Sequence, residues 1–206
     1  MNRLKLIFIL AIMFVFVSVG FGDSTDHYVI NTTSSVANQT FENYFQTSDC
    51  GGVFFITSSG TLTISSSSFI NNTTVLNSSS TVLPAGGGVI YNQGGILNIG
   101  NNIVFSSNSV SGVNNETGGG AIANIYGELT IGNNVIFSSN SAAYCGGAIA
   151  NIGEITIGDN ALFNSNSANV YGGAIYNYNG AITIGDNAVF SSNSAMEGGA
   201  IANYSG

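Results

Sequence analysis

Beyond Lys5 this 206-residue chain has no lysine and no arginine. Arg3 and Lys5 are its only permanent cations, and His27 is its only histidine. A protein that reads nucleic acid displaces phosphate counterions with Lys and Arg, so this chain is excluded from that class. Electrostatic attraction to anionic membranes or acidic polysaccharides is excluded on the same ground. Charged residues of either sign make up only 6% of the sequence. That is too few to keep an ordinary globule soluble, and here Asn, Ser, Thr and Gly supply the polar surface instead. Helical periodicity is also missing: after Gly22 no stretch shows it with caps, apart from a single turn expected around Phe41 to Phe45.

The two cations stand at the N-terminus, before an uncharged and mostly apolar run from Leu6 to Gly22. Small residues Ser18, Gly20 and Gly22 lie near its end. This reads as a secretory signal peptide over residues 1–22, cleaved after Gly20 or Gly22, and it is short for a membrane span. Cleavage would remove both cations and leave all 10 carboxylates, a formal charge of 0 − 10 = −10.

What fills the rest is repetition. A Gly pair opens at Gly51, Gly87, Gly119, Gly146, Gly172 and Gly198, and F-x-x-N begins at Phe69, Phe105, Phe137, Phe163 and Phe190. From Gly to Phe the gap is 18 residues four times and 17 once; from Phe to the next Gly it is 18, 14, 9, 9 and 8. Length changes therefore collect at one corner, as they do when each repeat is one coil of a solenoid. In Gly119 to Ser141, ELTIG alternates with Leu129 and Ile131 inward, which is the period of a half-buried strand. GGAIAN is expected to put Ile122 inward, with Ala121 and Ala123 outward. NNVIF adds a third strand carrying Phe137. Gly, Asn and Ser punctuate between strands. Regularly spaced Ile, Leu and Phe can bury area that a disordered Asn/Ser tract lacks.

Stacking such coils lays like on like. Ile90, Ile122, Ile149, Ile175 and Ile201 form one expected ladder; Ile64, Ile99, Ile131, Ile157 and Ile184 form a second; the Phe residues form a stack. Asn92, Asn124, Asn151, Asn177 and Asn203, and Asn72, Asn108, Asn140, Asn166 and Asn193, make two amide ladders, since each amide can donate to one side and accept from the other. Residues 23–50 fall outside this pattern and are expected to be an N-terminal cap, with the repeats spanning 51–206. Cys50 and Cys145 precede Gly pairs three coils apart, roughly 14 Å at strand spacing. A disulfide needs about 7 Å or less between Cα atoms, so both are expected to stay free or to pair between molecules.

GGAIAN at 119–124, 146–151 and 198–203, GGAIYN at 172–177, and the alternating F-x-x-N at 105–108, 137–140, 163–166 and 190–193 together resemble the polymorphic membrane proteins of chlamydiae and microbial adhesin-like surface proteins. The resemblance covers about three quarters of the chain. It implies a right-handed β-helix passenger displayed on a cell surface and used for attachment. Two features depart from the family: the first coils read GGVF and GGVI, and no C-terminal β-barrel segment follows.

Chemistry-bearing residues are sparse. Asp159 and Asp186 occupy equivalent I-G-D-N corners, but a calcium site needs several converging oxygens, so they read as solvated corner residues. Glu128 and Glu154 are equivalent outward positions, close enough in principle for a retaining glycosidase pair. Ala181 interrupts the column, and a like-charged strand face is the expected reading. Parallel β-helix polysaccharide lyases use a cationic base, which this chain lacks, and His27 stands alone in the cap. Thr63, Thr130, Thr156 and Thr183 form a single outward column, without the second column of an ice-binding face. Seven N-x-S/T sequons, at Asn31, Asn38, Asn71, Asn72, Asn77, Asn115 and Asn203, are about as many as composition predicts.

The sequence thus predicts an all-β, right-handed parallel β-helix of about six coils with an N-terminal cap. The protein is expected to be secreted or cell-surface, not an enzyme, and adhesin-like or structural. The alternative is a fragment of a larger surface autotransporter, or of a carbohydrate-active β-helix enzyme whose active coils lie elsewhere. No catalytic, cofactor-binding or metal residues are assigned. The expected partner is an unidentified surface protein or carbohydrate. Nucleic acid is not expected, and membrane contact only through the signal or a further C-terminal anchor. End-to-end self-association is expected at the strand edge near Gly206.

Overall fold

The computed structural model describes residues 27–47, 51–76, 86–112 and 118–205. The expected signal peptide and Cys50 lie outside these residues. Every strand pairing is parallel, and no helix occurs among the described residues. Each coil carries up to four short strands. In the second coil these are Phe54–Ile56, Thr61–Ser65, Ser68–Ile70 and Thr73–Leu76. Like strands stack into an 11-stranded sheet, built from the first two strands of each coil, and sheets of six and five strands. The six-stranded sheet holds one Phe strand per coil, so the chain makes six coils, and Ile201–Tyr204 begins a seventh.

Register keeps residue type along the aromatic column. Phe105 pairs with Phe69 and Phe137, and Phe163 with Phe137 and Phe190. Their rings stack face to face with centroids 4.7–4.9 Å apart. Both isoleucine ladders form as expected. With Val53, Val89, Ile103 and Val135 they make one continuous core, its central residues wholly buried. Burial of this kind is the main stabilising term of a solenoid coil, which has no core of its own without neighbours.

The coil turns where residues can take positive φ. One corner uses Asn102, Asn134, Asn160 and Asn187, and the next uses Ser107, Ser139, Ser165 and Ser192. Gly146, at φ 63°, opens the third. A side chain at Gly147 would run into the carbonyl oxygen of Gly173 in the next coil. The Gly pair therefore serves both conformation and close approach of coils.

The structure changes or adds four details. The segment expected as a cap is itself a coil over 27–47. Tyr28–Ile30, Thr33–Ala37, Thr40–Glu42 and Phe45–Thr47 pair in register with the four strands of the second coil. Phe41 stacks on Phe69 at 5.2 Å, and the turn expected around Phe41 to Phe45 is a strand, a bend and a strand. Second, F-x-x-N is followed by a strand rather than directly by a loop. Thr74, Val110, Ala142 and Ala168 point inward there. Third, Ala121 faces the core together with Ile122. The amides of both donate to the Ala148 carbonyl, at 2.9 and 3.0 Å, which breaks period two just after the Gly pair. Fourth, the 17-residue gap is a shorter corner: Tyr126 and Gly127 stand in one coil where Gly153 alone stands in the next.

The stretches by which the coils differ in length include 77–85 and 113–117, which lie outside the described residues. Their flanks lie at one corner: Leu76 pairs with Gly112, and Gly118, Cys145, Tyr171 and Glu197 form a bridge column.

Candidate functional site: a tyrosine patch on the outer face

Inside, the coils are tied by amides. Each Nδ2 of Asn92, Asn124, Asn151 and Asn177 donates to the Oδ1 of the next, at 2.7 Å throughout. The same nitrogens also donate to the carbonyls of Gly95, Gly127, Gly153 and Gly180. In the second ladder both the backbone N–H and Nδ2 of Asn108 donate to Asn140 Oδ1, at 3.0 Å each, and Nδ2 reaches back to Phe69 O. Asn72, Asn140 and Asn166 repeat this pattern. Buried amides satisfied on every side strengthen one another in a low dielectric.

The candidate carboxylates take structural positions. Asn133 accepts from the Asp159 N–H at 2.9 Å, and Asp159 Oδ1 accepts from the Asp186 N–H at 2.8 Å. Asp159 is thus a rung of a third, exposed ladder that starts at Asn101. Glu128 and Glu154 are register partners and both exposed. Among the described residues no three of His, Cys, Asp and Glu come together as metal ligands would. His27 lies edge-on to Phe55, with Nδ1 3.0 Å from Gln46 Nε2. Thr63, Thr130, Thr156 and Thr183 share one exposed column, interrupted by Asn98. Cys145 is buried and in no disulfide, and burial pushes its thiol up. The Asn72 sequon is fully buried in its ladder and Asn203 is a rung of the other; Asn31, Asn38 and Asn71 are exposed.

One cluster was not anticipated. Tyr144, Tyr171, Tyr176, Tyr178 and Tyr204, from successive coils, meet at the corner by the Gly pairs and on the outer side of the first strand. Tyr171 is the hub, with ring centroids 5.6 Å from Tyr144, 5.9 Å from Tyr176 and 5.4 Å from Tyr204. Tyr176 lies 6.4 Å from Tyr178, their planes 12° apart. The backbone explains the convergence. Tyr171 shares a column with Cys145 and Glu197, Tyr176 with Ala150 and Ala202, and Tyr178 with Tyr204. Small Ala neighbours leave room for the rings.

Tyr204 donates its hydroxyl to Glu197 Oε2 at 2.7 Å, and that bond pushes the phenol up to about 12. Burial raises Tyr144 and Tyr176 as well. Tyr178 remains exposed, with the exposed Asn179 next to it along the chain and the exposed Ser205 next to its register partner Tyr204. Five of the chain's 9 tyrosines thus form a neutral aromatic surface fringed by Asn179, Ser205 and a single carboxylate. A signal existed in the sequence: Tyr at 171, 176, 178 and 204 falls on outward columns once the register is known.

Parallel coils, stacked columns and amide ladders make this protein a parallel β-solenoid. The family model of the Chlamydia polymorphic membrane protein (Chlamydia_PMP) repeat matches residues 66–93, 134–152 and 160–178, about a third of the chain. Each matched stretch starts near a positive-φ corner, passes through the Phe strand and the Gly pair, and ends on the first strand of the next coil. Comparisons with curated proteins and with solved structures gave no match.

Proposed function

We propose that this chain is a secreted, surface-displayed β-solenoid with an adhesin-like, non-catalytic role. The observation that carries this reading is the polymorphic membrane protein repeat running through a rod of stacked coils. The polymorphic membrane protein name of the matched repeat points to a surface location. The apolar run Leu6 to Gly22 after Arg3 and Lys5 gives an export route. An interior repeated from coil to coil suits a stiff spacer, whose outer face is free to vary with the partner. The described carboxylates support a passive role, because they lie exposed on corners and strand faces, with Glu128 beside Glu154 and Asp159 next to Asp186 in the outer ladder. The test is labelling of intact, unpermeabilised cells of the source organism with antibody to residues 119–205, together with protease shaving. Labelling lost on shaving supports the reading; signal only after permeabilisation refutes it.

A further inference from the structure

We infer that the tyrosine patch binds a neutral oligosaccharide. This rests on the surface-display reading and gives it a ligand class. Tyrosine joins a flat apolar ring to a hydroxyl at its rim, so a cluster of them offers both stacking faces and hydrogen-bonding edges. A pyranose has the matching form: axial C–H bonds on one face, which the electron-rich ring face attracts, and hydroxyls around its edge. Tyr178 and Tyr204 are register partners on neighbouring coils, at a strand spacing of about 4.8 Å. That is close to the width of one sugar ring. The exposed Asn179 follows Tyr178 and the exposed Ser205 follows Tyr204, and Glu197 is an acceptor already aligned by Tyr204.

Charge selects among sugars. No lysine or arginine occurs after Lys5, so nothing there pairs with a sialic acid, uronate or sulfate, and Glu197 repels them. A protein partner is the less suited class. Stable protein interfaces bury about 1,200–2,000 Å² around apolar anchors and arginine, whereas here five rings carry their own hydroxyls and are bordered by Asn179, Ser205 and Glu197.

The full chain is to be tested by saturation-transfer NMR against cellotetraose, N-acetylchitotetraose and lacto-N-neotetraose, with sialylated and sulfated analogues as the anionic arm. The chain has no Trp, so tyrosine fluorescence gives an independent titration. Transfer from tyrosine ring protons to at least one neutral glycan is expected. The Tyr178→Ala/Tyr204→Ala variant should weaken it about tenfold or more. Tyr178→Phe/Tyr204→Phe keeps the rings and should retain part of the binding, which separates loss of stacking from loss of fold. Three results would overturn the inference: no transfer to any neutral glycan, preference for the anionic analogues, or equal binding by the double Ala variant. Capture of an unglycosylated protein by the patch without glycan transfer would overturn it too. Surface labelling is measured separately, so the ligand class can fail while surface display stands.

Discussion

The first coil and the middle coils reach the same geometry from different sequences. Coils from Gly119 to Ser167 carry the Gly pair, the Leu or Ile alternation and F-x-x-N. The first described coil, 27–47, keeps Phe41 but places Tyr44 where later coils have Asn72 or Asn108, and Ser34 where they have Leu62 or Leu97. It still stacks in register along all four strands. Its link to the second amide ladder is one-sided: Asn72 Nδ2 donates to Phe41 O, and the Tyr44 N–H donates to Asn72 Oδ1. Backbone pairing and ring stacking are therefore sufficient for register. The ladders add interior strength where both neighbours supply an amide.

Breaking the stack separates the two regions most. Phe137 is wholly buried between two rings, and Phe137→Ala should cost roughly 3–5 kcal/mol, read by denaturant unfolding. Phe41→Ala should mainly lower the local opening energy of 27–47, seen as faster amide exchange there, with little change at 119–168. Equal global losses from both would mean that the first coil folds as part of the interior.

Asn140→Ala should come next. It takes the Oδ1 acceptor from the Asn108 N–H and Nδ2 and the Nδ2 donor from Phe105 O, and leaves Asn166 Oδ1 with only the backbone N–H of residue 140, at about 1–3 kcal/mol for a buried group left unmatched. Tyr44→Ala has no ladder to break. Its cost should be confined to exchange in the first coil.

The smallest effect is on alkaline titration. Tyr204 is held at about 12 by Glu197. Below pH ~10 the phenol is protonated in both folded and unfolded chains, so its contribution is intact. Between ~10 and 12 the unfolded chain loses the proton first, and stability falls. Phenolate absorbance should show a late-ionising class of tyrosines, and Glu197→Ala should bring Tyr204 back toward the ordinary value.

Much of the interior was legible, because a buried position that stacks on its own copy repeats visibly. The Phe stack, both isoleucine ladders and both amide ladders are of this kind. What escaped lay where the repeat is short or diverged. Ser141–Ala142 and Ser167–Ala168 are two-residue strands that read as loop. Asp159 and Asp186 read as solvated corner residues, whereas Asp159 Oδ1 accepts the Asp186 N–H as a rung of the exposed ladder, a bond to backbone that no residue pattern announces. The first coil lost its Gly pair and its Asn, leaving Phe41 as the only mark of register. The tyrosine patch draws on columns that hold Ala, Cys or Glu in neighbouring coils, so no periodicity announces it. Outer faces vary with what they meet, and only the fold shows which variable residues meet one another.

The central claim is that the coils from residue 27 onward form one in-register stack. Ser35, Thr63, Asn98, Thr130, Thr156 and Thr183 are successive partners in one outward column. Spin labels at positions 35 and 183, in a chain with Cys50 and Cys145 replaced by Ser, should lie about 24 Å apart at the backbone, and labels at 63 and 183 about 19 Å apart. Two narrow dipolar distance distributions offset by about one strand spacing are the predicted result. A 35–183 distance equal to or shorter than the 63–183 distance would contradict the account.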